Sequence, residues 1–188
     1  MINLEKLVYN KLESKPNRIK HTQGVIKVSV ELAKLYQVSE EDAKLAALFH
    51  DYMKYDLLEE QTKHLSKDLI SRYKDVEFVY HAYSAAEELK RLKPDTKEDV
   101  LNAIRYHIWG RPNMSTLEKI ILVADKCEPS RTFDDAKIIY SKALKDLDEA
   151  VYYTLESSIK HLKLQGIKPH NEQVKTYIYY KRKDKKND

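Results

Sequence analysis

The chain has 188 residues and a formal net charge of +4 at pH 7, which is long enough for one sizeable hydrophobic core. Only three glycines and five prolines occur, 34% of the residues are charged, and no apolar run approaches the ~20 residues of a membrane-spanning helix, so we expect a mostly helical globular protein. The single cysteine, Cys127, excludes an intrachain disulfide and a thiolate metal cage, and an N-terminus without a signal-peptide pattern predicts a cytoplasmic location.

Positive charge is concentrated at the end of the chain. Residues 181–188 hold five cationic and two anionic side chains, a net of +3, so the remaining residues are nearly neutral at +1. A nearly neutral body disfavours an RNA-binding module, because nucleic-acid footprints usually need a basic face. We expect one all-α domain over residues 1–180, followed by a solvated, frayed basic tail over 181–188.

Apolar periodicity and capping residues predict a series of helices. In chain order they cover about 3–13 (capped by Asn3), 17–37 (with Pro16 in its first turn), a helix from Ser39 to His50, one or two short helices in 56–73, then 75–92, 97–108, a helix opened by a Ser115–Glu118 capping box, 134–143, 146–165 and 171–181. The last stretch would also suit a strand. Phe78 is expected on the core face of the 75–92 helix, and His64 on the surface.

Six polar side chains share one property, which is a position on or at the end of the core-facing stripe of a predicted helix. They are His21, His50, Asp51, His81, His107 and Asp125. The His50-Asp51 dipeptide alone favours a pair satisfied by ordinary hydrogen bonds. Six such residues spread over five helices instead favour a metal site, because a helix bundle can bring them to one point. Ligands without thiolate suit iron, manganese, cobalt or zinc.

The order His, His-Asp, Asp resembles the HD superfamily of metal-dependent phosphohydrolases, and the two intervening histidines are similar to its two-metal members. Longer blocks at residues 18–25, 50–54, 107–115 and 124–131 closely resemble the bacterial YqeK-like family. Together the blocks cover a motif core of about residues 18–131, and further helices over about 134–180 complete the predicted HD domain.

This resemblance implies a symmetrical bis(5'-nucleosyl)-tetraphosphatase, which cleaves diadenosine tetraphosphate into two ADP by attack of a metal-activated hydroxide. The cofactors it implies are two divalent or mixed-valence transition metals, with iron first and manganese, cobalt or zinc as alternatives. Carried over by position, one ion would be held by His21, His50, Asp51 and Asp125, and the other by Asp51, His81 and His107, so that Asp51 bridges. Ala82 and Ala85 stand where the family often has glycine, and Ile108-Trp109 stands where it usually has small polar residues.

Cationic and aromatic residues near these motifs are the candidates for substrate binding. Lys54 lies one turn beyond His50 and is expected to contact phosphate and to act with Asp51 in catalysis. Arg111 and Arg131 would clamp phosphate bidentately, and Arg18, nearly one turn before His21, is a further candidate. Trp109 would either stack on a base or cover the core.

Two alternatives stay open for the activity. One is another HD-type nucleotide phosphohydrolase, acting on an alarmone, a cyclic dinucleotide or a deoxynucleotide. The other is a non-catalytic, metal-dependent nucleotide sensor. The expected partners are a dinucleoside polyphosphate substrate and a nucleoside diphosphate product, without nucleic acid or membrane; a homodimer is an open possibility for the assembly.

Overall fold

The computed structural model describes the backbone of residues 3–184 and the side chains as far as Lys181, and this part of the chain is all-α. Eleven α-helices lie within it: α1 (Leu4–Lys11), α2 (Pro16–Leu35), α3 (Glu40–Phe49), α4 (Leu58–Thr62), α5 (Lys67–Tyr73), α6 (Tyr80–Leu92), α7 (Glu98–Arg105), α8 (Thr116–Cys127), α9 (Asp135–Ala143), α10 (Leu147–Leu164) and α11 (Asn171–Asp184). None of these helices combines the length and the apolar character that a bilayer crossing requires.

Helix α8 lies at the centre of the fold and contacts α2, α3, α7, α9 and α10. Every side chain from Ile120 to Ala124 is fully buried, which is the pattern of a helix enclosed on all sides. The predicted capping box starts this helix: the Ser115 hydroxyl accepts from the Glu118 N–H, and the Glu118 carboxylate accepts from the Ser115 N–H. Because α8 is so deeply enclosed, Asp125 near its end is carried into the core.

Most predicted helix boundaries are confirmed. The Asn3 side chain accepts from the Lys6 N–H at the start of α1, and Pro16 occupies the first turn of α2. The ambiguous stretch 171–181 is helical rather than extended, and α11 continues to Asp184. The frayed tail predicted over 181–188 is corrected for residues 181–184, which belong to α11; fraying of 185–188 stays a prediction, because these residues lie outside the described part of the chain.

The structure corrects two predicted elements near the site. The helix predicted from residue 75 begins at Tyr80, and a 3₁₀ turn over Glu77–Val79 precedes it. This turn breaks the helical spacing, so Phe78 is 57% exposed and not on the core face. The helix predicted over 97–108 ends at Arg105, and His107 lies in the turn that follows.

The C-terminal helices close the fold over the loop that follows His107. Helix α11 packs along α10, and α10 in turn contacts α8 and α9. The Tyr180 side chain on α11 is buried, and its hydroxyl accepts a hydrogen bond from the Met114 N–H at 3.1 Å. The loop between α7 and α8 is therefore held by residues much later in the chain.

Candidate metal centre

The six predicted ligand residues converge on one point inside the bundle, and each is at most 5% exposed. They come from five parts of the chain: His21 from α2, His50 and Asp51 from the end of α3, His81 from α6, His107 from the turn after α7, and Asp125 from α8. The expectation that all six lie on helices is corrected, since His50, Asp51 and His107 follow the last residue of a helix. All three remain buried because the turns that carry them pack into the core.

Asp51 lies between two pairs of histidines. Its Oδ2 atom is 3.3 Å from His50 Nε2 and 3.7 Å from His21 Nε2. Its Oδ1 atom is 3.1 Å from His81 Nε2 and 3.7 Å from His107 Nε2. One carboxylate thus completes two groups of three potential metal ligands, and the two groups share it.

Asp125 adds a second carboxylate beside the first of these groups. Its Oδ1 atom lies 3.1 Å from His21 Nε2 and 3.8 Å from His50 Nε2. This group therefore offers two imidazole nitrogens and two carboxylates, whereas the other offers two imidazole nitrogens and Asp51. The division of the residues agrees with the one expected from the resemblance.

Three of the histidines are oriented by the same local hydrogen bond. The Nδ1 atoms of His50, His81 and His107 donate to the backbone carbonyls of Ala47, Phe78 and Ile104, at 2.6, 2.5 and 2.8 Å. A carbonyl only accepts, so the proton is on Nδ1. In the neutral ring this leaves the Nε2 lone pair facing the cluster, which is the arrangement found in histidines that bind metals.

Two observations indicate that this set of donor atoms fits a cation. His21 Nε2 and His50 Nε2 are 3.1 Å apart, which is a separation at which both nitrogens could bind one ion. His81 Nε2 is buried and makes no hydrogen bond with any described group, although Asp51 Oδ1 is 3.1 Å away. A buried nitrogen without a partner is costly unless something else satisfies it.

The ionisation states also suit metal binding. Burial, reinforced by His50, holds the pKa of His107 well below its ordinary value of 6.5. Burial alone would raise the pKa of both carboxyl groups, but His50 beside Asp51 and Lys126 beside Asp125 hold them well below 3.8. His107 is therefore neutral and both aspartates are ionised near neutral pH, and these are the forms that bind metals.

Glu128 belongs to the site and was not predicted. It is buried, and its Oε1 atom accepts from Nδ1 of His21 at 3.0 Å, so it orients the fourth histidine. The Ser130 N–H and hydroxyl both donate to the same carboxylate. The sequence feature that points to Glu128 is Gly24, a glycine inside α2. A Cβ at that position would lie 2.3 Å from Glu128 Oε2.

Four cationic side chains border the two aspartates. At Asp51, Arg18 Nη1 lies 2.5 Å from Oδ2, and Lys54 Nζ lies 3.1 Å from Oδ1. At Asp125, Arg131 Nη2 lies 2.8 Å from Oδ1 and Lys126 Nζ lies 2.7 Å from Oδ2. Arg18, Lys54 and Arg131 were expected here, whereas Lys126 was not.

The other two expected substrate contacts lie elsewhere. Arg111 donates two hydrogen bonds to the buried Glu118 carboxylate, at 2.7 and 2.6 Å, and these bonds hold it at the start of α8. Trp109 stacks on His170, with ring centroids 4.4 Å apart and an interplanar angle of 12°. The structure brings neither residue to the six-residue cluster, because the loop after His107 turns towards α11.

A cleft of about 630 Å³ opens from the cluster to the surface, and we call it the first cleft. His81, His107 and Asp125 line its floor, and Lys54 and Lys126 line its sides. Tyr55 and Phe78, which are 51% and 57% exposed, lie in its walls. The arrangement offers a metal site, positive charge for an anion, and aromatic surface within one opening.

Comparison with known proteins agrees with this geometry. Residues 18–130 match the family model described as HD domain. The chain is 41% identical over 150 residues to a protein of Halalkalibacterium halodurans named bis(5'-nucleosyl)-tetraphosphatase, symmetrical, with 78% of this chain and 79% of that protein covered. A Bacillus subtilis protein of the same name is 33% identical over 160 residues, covering 84% and 86%.

A solved structure is similar along almost the whole chain. It is the crystal structure of a predicted HD superfamily hydrolase involved in NAD metabolism, from Clostridium acetobutylicum. The two proteins share 30% of their residues, 96% of each chain is covered, and the TM-score is 0.85.

Proposed function

This chain belongs to the HD-domain family, within the group of symmetrical bis(5'-nucleosyl)-tetraphosphatases, and we propose that it cleaves diadenosine tetraphosphate into two molecules of ADP. The observation that carries the proposal is the pair of His/Asp groups that share Asp51, three of whose clustered residues, His81, His107 and Asp125, line the first cleft. A polyphosphate needs concentrated positive charge and a nucleophile at one place, and this cluster is suited to provide both.

In the proposed site, two divalent ions occupy the two groups of ligands. His21, His50, Asp51 and Asp125 hold one ion, and Asp51, His81 and His107 hold the other. The bound ions supply a water activated as a nucleophile and neutralise phosphate charge. We propose iron as the metal because the family resemblance implies it; the donor set, nitrogen and oxygen without thiolate, suits manganese, cobalt and zinc equally.

Lys54 and Arg131 are the proposed phosphate ligands, together with Arg18 and Lys126. Each of the four now neutralises an aspartate at the edge of the cluster. With metal bound, those carboxylates would be neutralised by it, and the four cations would be free to bind phosphate oxygens at the same place. Cations beside the phosphates would stabilise the charge that develops during phosphoryl transfer.

One nucleoside of the substrate is proposed to lie in the first cleft. Tyr55 and Phe78 are partly exposed aromatic residues in the first cleft, with Lys15 and Arg18 near the Tyr55 ring and Trp109 against Phe78. Stacking on an aromatic side chain is a common way to hold a base. This replaces Trp109, whose face is covered by His170. The cytoplasmic location remains part of the proposal, and the homodimer stays an untested prediction.

The proposal is tested by product analysis of metal-loaded protein incubated with diadenosine tetraphosphate. We expect ADP alone, and hydrolysis in ¹⁸O-labelled water should place one solvent oxygen on one of the two ADP molecules formed per event. Equal amounts of AMP and ATP would show asymmetric cleavage and reject the proposal. The Asp51→Asn variant is the control for a contaminating hydrolase, since it should be inactive.

The same experiment separates the two alternatives. Fast turnover of an alarmone, a cyclic dinucleotide or a deoxynucleotide, with none of diadenosine tetraphosphate, would identify another HD-type phosphohydrolase. Tight binding of ADP without turnover of any of these nucleotides would identify a sensor. Neither alternative is favoured by a specific contact in the structure.

A further inference from the structure

A second cleft, of about 500 Å³, lies on the other side of Lys126, where α9 and α10 meet. Lys126, Arg131, Phe133, Thr154 and Lys160 are among the residues that line it. Both clefts fall within the range of about 300–1,000 Å³ that is typical of small-molecule sites.

The two clefts adjoin at Lys126, a residue next to the metal cluster. Lys126 lines both of them, and its Nζ lies 2.7 Å from Asp125, one of the six clustered residues. Arg131 lines the second cleft and donates to the other oxygen of the same carboxylate. A polyphosphate centred on the cluster can therefore extend into either cleft. Lys126 lies beside both clefts, and Arg131 lies beside the second.

The second cleft has the features of a nucleotide site. Lys126, Arg131 and Lys160 give it positive charge, whereas its one carboxylate, Asp135, already accepts from Tyr153 and Ser157. Phe133 is 44% exposed in its wall and offers a face for stacking.

Thr154 provides an independent indication of a ligand. This residue lines the second cleft and is 4% exposed, and its hydroxyl oxygen is buried without a hydrogen-bond partner among the described groups. A threonine inside a helix can usually donate to a carbonyl one turn earlier. A buried hydroxyl left unsatisfied is costly, and a polar group of a bound ligand would satisfy it.

We propose that the second cleft binds the second ADP half of the substrate, an inference that rests on the proposed function. Diadenosine tetraphosphate has two equal halves about its central anhydride, but a single chain has no matching symmetry. Cleavage at the centre leaves an equal half of the substrate on each side of the metals, and two different pockets on one chain can receive these two halves. The first cleft takes one half, and the second cleft takes the other, with its phosphates on Lys126 and Arg131 and its base on Phe133.

The test is calorimetric titration of the metal-loaded chain with ADP. Wild type should bind two ADP per chain. Phe133→Ala and Thr154→Val should each weaken one of the two sites about tenfold or more and leave the other unchanged, because stacking and hydrogen bonding contribute on this scale. Ile138→Ala and Lys163→Ala are the controls, since Ile138 on α9 and Lys163 on α10 are both exposed and are not among the residues that line the cleft.

Binding of one ADP per chain by wild type would overturn the inference. So would two sites that both survive in the Phe133 and Thr154 variants, or two sites that weaken together. Circular dichroism of each variant shows whether the fold is kept, and Thr154→Val preserves the side-chain shape if Phe133→Ala does not fold. Failure of the proposed function is seen separately, as the absence of ADP production by wild type.

Discussion

Glu128 and His21 lie 107 positions apart in the chain, yet a buried hydrogen bond of 3.0 Å joins the Glu128 carboxylate to the Nδ1 atom of His21. The other three clustered histidines donate to carbonyls only three residues away. His21 is thus the one whose ring orientation depends on tertiary structure. Any change that moves the start of α2 relative to the end of α8 should first affect the ion held by His21.

We predict that Glu128→Ala lowers metal affinity at the His21 group by about 10- to 100-fold, the usual effect of removing a partner that orients a ligand histidine. Glu128→Gln keeps an acceptor oxygen and should lose less. Dissociation constants from competition with a chelator measure both effects. Glu98→Ala, at an exposed carboxylate, is the control. Wild-type affinity in Glu128→Ala would contradict the positioning role.

We predict that Gly24→Ala also weakens this metal, because the new methyl group would lie 2.3 Å from Glu128 Oε2. In most helix interiors the same change stabilises a protein by about 0.5–1 kcal/mol, so failure to raise the melting temperature is a second readout. In a Glu128→Ala background most of the clash is absent. The double-mutant cycle should then recover the normal gain, and additive effects would remove the contact as the cause.

We predict that His81→Ala or His107→Ala loses one of two ions and largely keeps the other. The two ligand groups overlap only at Asp51, so Asp51→Ala should lose both. Elemental analysis of metal-replete protein gives the ion count for each variant. At most one ion per wild-type chain would contradict the two-metal site.

We predict that Lys54→Ala and Arg131→Ala keep both ions but lose turnover. A contact to developing charge contributes on the order of 2–4 kcal/mol to the barrier, which is about 30- to 1,000-fold in rate. Steady-state kinetics with metal analysis on the same preparations checks this result. A variant with the wild-type rate and Michaelis constant would show that its residue does not contact the substrate.

We predict the opposite behaviour for Arg111→Ala. Its guanidinium satisfies the buried Glu118 carboxylate, so removing it should cost about 1–3 kcal/mol of folding free energy and leave the turnover of folded protein nearly unchanged. Urea unfolding and kinetics below the melting temperature separate the two quantities. A 30-fold loss of rate at unchanged stability would restore Arg111 to the substrate site.

Helical periodicity alone predicted much of the cluster, because His21, His81 and Asp125 each lie on the apolar stripe of a helix. The same reasoning held for His50, Asp51 and His107 just beyond helix ends, but it failed at Phe78. Phe78 precedes the first residue of α6, in a 3₁₀ turn with a different rotation per residue, and its side chain is exposed as a result. The ligands were predictable because burial imposes a pattern on sequence.

Loop direction and long-range pairing leave no such pattern. Arg111 and Trp109 are adjacent in sequence to a ligand, but their contacts with Glu118 and His170 depend on the path of a loop fixed by tertiary packing. Glu128 follows α8, outside any periodic stripe, and its partner lies on another helix. The close approach of α2 to Glu128 leaves one sign in the sequence, which is the glycine at position 24.

The hydrogen bond between Met114 and Tyr180 has a consequence for how the protein is made. The clustered ligands end at residue 125, so a ribosome releases all of them well before residue 180 appears. Until α11 arrives, the loop after His107 lacks the hydroxyl that accepts from Met114 and the helix that packs over it. A nascent chain can therefore carry every ligand before α11 holds the loop after His107 in place.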